Sequence, residues 1–183
     1  MLLNKILVLD KGYVALISSA NTTKTILDIK DEFFKVETLS DDDTQAIGDI
    51  ATMTLAVKCP LFVQLNLSKF GLKVINTKLD SVEAYIPNET EIHASDLETN
   101  RVIAQDIHRT TEALLINPLA YQRDGCDKFM SQIMSPVSVY NTLIVHGTLN
   151  QWMAFGKQEG LPKPIEAYRD SISDILVAEW KFI

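Results

Sequence analysis

Basic residues are scarce in this chain. Of 183 residues, 17 are Lys or Arg against 24 Asp or Glu, a net charge of −7, and no window is rich in Lys or Arg. Binding a nucleic-acid polymer relies on a basic surface, so that partner is excluded, while a small basic pocket for one nucleotide is not. Cysteine is scarcer still. Cys59 and Cys126 stand far apart with no Cys-x-x-Cys pair, which argues for buried thiols rather than a bridge and against a structural zinc site. Seven glycines leave little material for a phosphate-cradling loop. The dinucleotide, P-loop, nucleophile-elbow and zinc-protease signatures are all missing. No apolar run reaches the roughly 18 residues of a membrane helix. The apolar start, Met1 to Leu9, is broken by Lys5 and Asp10 and has no small-residue cleavage site, so it reads as a first strand rather than a signal peptide.

What is there is an ordinary globular composition, 46% apolar and 22% charged. Length points to one domain, 1–183, and the expected setting is the cytoplasm with no membrane partner. Ile6 to Leu9 and Tyr13 to Ile17 read as strands joined by Asp10-Lys11-Gly12. Asn21-Thr22-Thr23 caps a predicted helix to Lys35. Glu37 to Asp43, with three consecutive Asp, reads as a solvated loop. Ile50 to Lys58 alternates as a strand with its odd-numbered face buried. Pro60 opens a helix that Gly71 ends. Val82 to Ile86 reads as a short strand. Ser95-Asp96-Leu97-Glu98 matches a capping box with Ser95 at the N-cap, opening a long helix to Ile116 with Leu97, Ile103, Ile107, Leu114 and Leu115 along one side. A shorter helix covers Asp124 to Met134, and Pro136 starts an extended run to Val145. Helices over Leu149 to Lys157 and from Pro164 onward complete the chain, the last with Ile165, Tyr168, Ile172, Ile175 and Leu176 on one face. The irregular alternation, without βαβ spacing, predicts an α+β fold: a mixed or antiparallel sheet packed against helices.

Chemistry-bearing residues are few. His93, His108 and His146 each read first as structural, and no metal site or catalytic set is expected among them. Arg101, Arg109, Arg123 and Arg169 could each clamp a phosphate bidentately. Arg101 with Gln105, and Arg109 with Glu112, have the spacing of helix-surface pairs instead.

Several segments, in order, resemble the flavin-dependent thymidylate synthases. Leu9-Asp10-Lys11-Gly12-Tyr13-Val14-Ala15-Leu16 is similar to the family's opening. Val57 to Val63 resembles its strand-to-helix passage before the flavin motif, and Ala84 to Pro87 the strand after it. Ser135 to Val145 with Leu149 to Phe155 resembles its nucleotide-binding strand and helix, and Glu166 matches an acidic residue of its last helix. The resemblance implies the thymidylate synthase-complementing-protein fold and a homo-oligomer, a dimer or tetramer. Family members bind FAD and dUMP between subunits and use NADPH and methylene-tetrahydrofolate to methylate uracil.

The family's Arg-His-Arg motif, followed after seven residues by Ser, falls here on Lys69-Phe70-Gly71, with Val74, Ile75 and Asn76 near the Ser position. Its paired-His segment falls on Thr44 to Ile50 without a His. Its phosphate-gripping Arg falls on Asn150, its neighbouring Asn on Thr148, and a further Arg on Glu159. Both FAD and dUMP carry phosphates that need cations or oriented N–H donors. The resemblance therefore implies no bound FAD and, as the first reading, a non-catalytic homologue that acts by binding a protein partner or a small ligand in the degenerate cleft. The alternative is a diverged enzyme on a pyrimidine deoxynucleotide such as dUMP, with Lys69, Lys73, Asn76 and Asn150 as its substrate contacts. A third reading, an assembly role, would use the acidic stretch Glu37 to Asp43 to dock a basic partner.

Overall fold

The structure is a computed structural model that describes residues 3–20, 41–78, 83–92, 96–125 and 136–180. The predicted helix over 21–35, most of that over 124–134, and His93 lie outside these residues. Strands β1 (Leu3–Val8), β2 (Gly12–Ala20), β3 (Thr52–Pro60), β4 (Lys73–Lys78) and β5 (Tyr140–Thr148) form one sheet in the order β1-β2-β3-β5-β4. Every neighbouring pair is antiparallel. The predicted α+β class holds, with the sheet antiparallel throughout.

The pleat decides which face is packed. On β3 the odd residues Met53, Leu55, Val57 and Cys59 are fully buried, as are Leu143 and Val145 opposite on β5. They meet α2 (Leu61–Leu67), α4 (Leu149–Gly156) and α5 (Lys163–Glu179). All five predicted core positions of α5 are buried, and Trp152 of α4, also wholly buried, donates its indole N–H to the Met53 carbonyl at 3.2 Å. Burial of such large rings supplies much of a core's stabilisation, provided the polar edge finds a partner. The α4 helix starts on a capping box, Thr148 with Gln151.

Four expectations change. Asp41 to Asp43 belong not to a loop but to the first turn of α1 (Asp41–Ile50), where acidic residues suit the positive end of the helix dipole. Of the predicted strand over Val82 to Ile86, the described residues from Glu83 onward make one bridge, Ala84 to Val139. The strand that does pair there is β4, whose six residues carry no clean alternation. The long helix, α3 (Leu97–Arg123), is capped by Asp96, whose carboxylate accepts the Thr99 N–H at 2.8 Å. It continues through Pro118 to Arg123. A helix interior normally rejects proline, and Pro118 is one of the two buried residues of α3. The predicted α3 stripe is not a core stripe: Leu97 is 81% exposed.

At one end of the sheet, α5 docks through a hydroxyl. Tyr168 is buried and donates to the Lys58 carbonyl at 2.8 Å. Gly12 makes room for it. A Cβ there would stand 1.9 Å from the Tyr168 hydroxyl and 2.7 and 2.8 Å from the Val8 and Lys58 carbonyls. Gly12→Ala is therefore expected to lower stability by about 1–3 kcal/mol, read as a lower urea midpoint at unchanged slope. The cost should be smaller in a Tyr168→Phe background, where the nearest obstacle is gone; equal costs in both backgrounds would refute this account.

Candidate functional site

The β1–β2 turn, the segment after Ala84 and one face of α3 enclose an open cleft of about 770 Å3. Asp10 and Lys11 contribute from the turn, and Ile86, Pro87, Asn88 and Glu89 from the segment. Arg101, Ala104, Gln105, His108 and Arg109 contribute from α3. Positions three, four, seven and eight apart share one helical face, so a single straight wall presents two guanidinium groups and an imidazole two turns apart.

Two of the walls are held from behind. Glu91 fixes the 85–91 segment: its carboxylate accepts the Tyr85 hydroxyl at 2.9 Å and the Asn88 N–H at 2.8 Å. The Asn88 side chain in turn accepts the Thr90 N–H. Burial and the Glu91 carboxylate push the Tyr85 phenol well above its ordinary range, so it serves as a donor. On the opposite side, Tyr140 is wholly buried and donates to Asp10 Oδ1 at 2.5 Å. Desolvation and that bond raise its pKa as well. Lys58 sits over the Tyr140 ring at 5.6 Å and pairs with Glu83.

The helix-surface pairs differ from the expected ones. Arg101 bonds Glu98 at 2.6 Å, not Gln105. Glu112 pairs with His108 at 3.3 Å, leaving Arg109 with no hydrogen bond to any described residue. Arg169 is structural, donating to the Gln158 carbonyl and to Asp170. His146 bonds Thr54 on the sheet at 2.9 Å.

The four residues expected to contact a nucleotide lie away from this cleft. Lys69 is exposed in the 3-10 turn after α2, and Lys73 is exposed on β4, opposite His146. Asn76 stands opposite Leu143. Asn150 ties α4 to α1, donating to the Gln45 carbonyl and to Asp49. The Arg-His-Arg positions do not fit a flavin pyrophosphate: Lys69 is the one cation, Phe70 packs on Phe155 at 5.5 Å, and Gly71 is a left-handed cap. No cluster of three metal-ligating side chains occurs among the described residues. Cys59 is buried and its thiol is pushed far above its usual range, which makes it unreactive. The cleft can thus bind an anion through Arg109, Arg101 and Lys11, and a donor group through Asp10. Asp10 and Lys11 read in sequence as turn residues and as part of the segment resembling the family's opening, with no site role; their place in the cleft emerges from the partners behind them, Tyr140 above all.

The Lys58 partner holds Glu83 below its ordinary carboxylate value of 4.5. The folded-state value is the lower one, so this stabilisation is complete above the ordinary value and is lost as pH falls through the folded one. The stability gap between the wild type and Glu83→Gln should therefore shrink from neutral pH to about pH 3 in urea titrations; a constant gap would rule the linkage out.

No family model matches the sequence, and no curated protein matches it. Among solved structures, the chain is similar to a UMP/dUMP methylase, PolB from Streptomyces cacaoi, bound with 5-Br dUMP. The TM-score is 0.75 at 12% identity, covering 96% of this chain and 94% of that one. The same methylase bound with 5-Br UMP gives 0.74 at 13% identity, covering 93% and 91%. At this identity the likeness is one of fold, and it agrees with the thymidylate synthase-like architecture expected from the sequence.

Proposed function

We propose that this chain binds a pyrimidine nucleotide in the cleft between the β1–β2 turn and α3, with the phosphate on Arg109, Arg101 and Lys11. The observation that carries the reading is Arg109, a guanidinium that bonds no described residue and faces a cleft also lined by Lys11 and Arg101, in a chain of net charge −7. Charge of this kind serves locally, because a cleft focuses the field of the groups that line it. The fold shared with a UMP/dUMP methylase supports the ligand class. A nucleotide-acting enzyme and a binding protein both follow from it. The residues at the flavin-motif positions favour a protein that does not run the flavin-dependent reaction, because one lysine replaces two arginines. A homo-oligomer belongs to the same proposal, supported by the exposure of Leu97, Ile116 and Leu119 on α3.

Calorimetry with UMP, dUMP, dCMP and dTMP tests the reading. Heat of binding is expected with at least one of them. Arg109→Gln should weaken it about tenfold or more, the worth of one charge-assisted contact, while Lys69→Gln with Lys73→Gln should not. The reverse pattern would move the site to the β4 edge, and no heat with any nucleotide would sink the proposal. Adding FAD settles the finer point: a flavin absorption band that survives gel filtration would overturn the version without flavin chemistry.

A further inference from the structure

We propose that Asp10 selects a ribonucleotide over its deoxy counterpart by accepting hydrogen bonds from the ribose hydroxyls. This rests on the nucleotide reading above and deepens it. Asp10 lines the same cleft as Arg101 and Arg109 but stands on a different element, the β1–β2 turn. Its Oδ1 takes the hydroxyl of Tyr140, whose ring is wholly buried and whose oxygen accepts the Lys11 N–H. The turn and the carboxylate are thereby held as one unit. Oδ2 bonds no described residue.

A carboxylate has only acceptors to offer. It repels a phosphate, so that group goes to the arginines. It also matches a uracil edge poorly, because the N3–H there is flanked by two carbonyl oxygens. The ribose 2′ and 3′ hydroxyls are two adjacent donors, and a carboxylate on a ribose hydroxyl is a recurrent solution in nucleotide sites. A deoxyribose removes one donor and returns that acceptor of the exposed Asp10 carboxylate to water, so the discrimination is the net worth of one charge-assisted hydrogen bond.

Calorimetry of UMP and dUMP against the wild type, Asp10→Asn, Tyr140→Phe and Arg109→Gln reads the two ends separately. The wild type is expected to prefer UMP by about tenfold, and Asp10→Asn to reduce that ratio to about twofold or less. Tyr140→Phe, which keeps the buried ring and removes the hydroxyl, should narrow the ratio as well and stands in if Asp10→Asn fails to fold. Arg109→Gln should weaken both nucleotides by the same factor. Equal affinities in the wild type, or a ratio unmoved by both the Asp10 and Tyr140 variants, would overturn the selection and leave nucleotide binding standing. No binding of either nucleotide by the wild type would overturn both.

Discussion

The hydrogen bond from Tyr168 to the Lys58 carbonyl joins α5 to the end of the sheet, and much else is arranged around it. A buried phenol must have a partner, since an orphaned hydroxyl costs on the order of 1–3 kcal/mol. Lys58 presents its carbonyl to Tyr168 only because Gly12, across the β2–β3 ladder, has no side chain to block the approach. That places the β1–β2 turn against α5. Tyr140, at the head of β5 and opposite Pro60, fills the remaining space with its ring and reaches Asp10 with its hydroxyl. One polar requirement in the core thus determines where the cleft's turn stands.

The two faces of the sheet are used differently. The packed face is apolar throughout, from Met53 to Val145, and is sealed by Trp152, Phe155, Ile172 and Leu176. The cleft lies at the sheet's end, where several charged side chains in or beside it are restrained by another charge or hydroxyl: Glu91 by Tyr85, Glu83 by Lys58, Asp10 by Tyr140. Partly exposed contacts such as the Lys58–Glu83 ion pair contribute little to stability. What they supply is orientation, which lowers the ordering cost that any bound molecule would otherwise meet.

The strands and helices that face the core were legible because their periodicity reports burial directly. The odd face of β3 and the five core positions of α5 are instances. Legibility failed where burial was not the deciding force. Six residues of β4 form an edge strand because β5 offers hydrogen bonds, not because their side chains alternate. On α3, the expected stripe of Leu97, Ile103, Ile107, Leu114 and Leu115 has helical spacing yet none of the five is buried, so spacing alone said helix correctly and core wrongly. The cleft was less legible still. Arg101 and Arg109 stood out as possible phosphate clamps, but Asp10 acquires its place through Tyr140, 130 residues away. No local pattern encodes a contact of that separation.

The turn after α2 shows how local geometry commits a position to the architecture. Phe70 and Gly71 both serve it: Phe70 packs edge-on against Phe155, and Gly71 takes the left-handed conformation that ends the turn and gives its carbonyl to Gln151. Substituting an arginine at Gly71 would meet a backbone φ of 72° that side-chain-bearing residues resist, and the Gln151 amide already sits 3.0 Å from where its Cβ would be. The position is committed to structure. The guanidinium groups of the cleft stand on another element, α3. An exposed helix wall is suited to carrying them, because a new arginine there displaces nothing from the core and acquires its neighbours through the helical repeat alone.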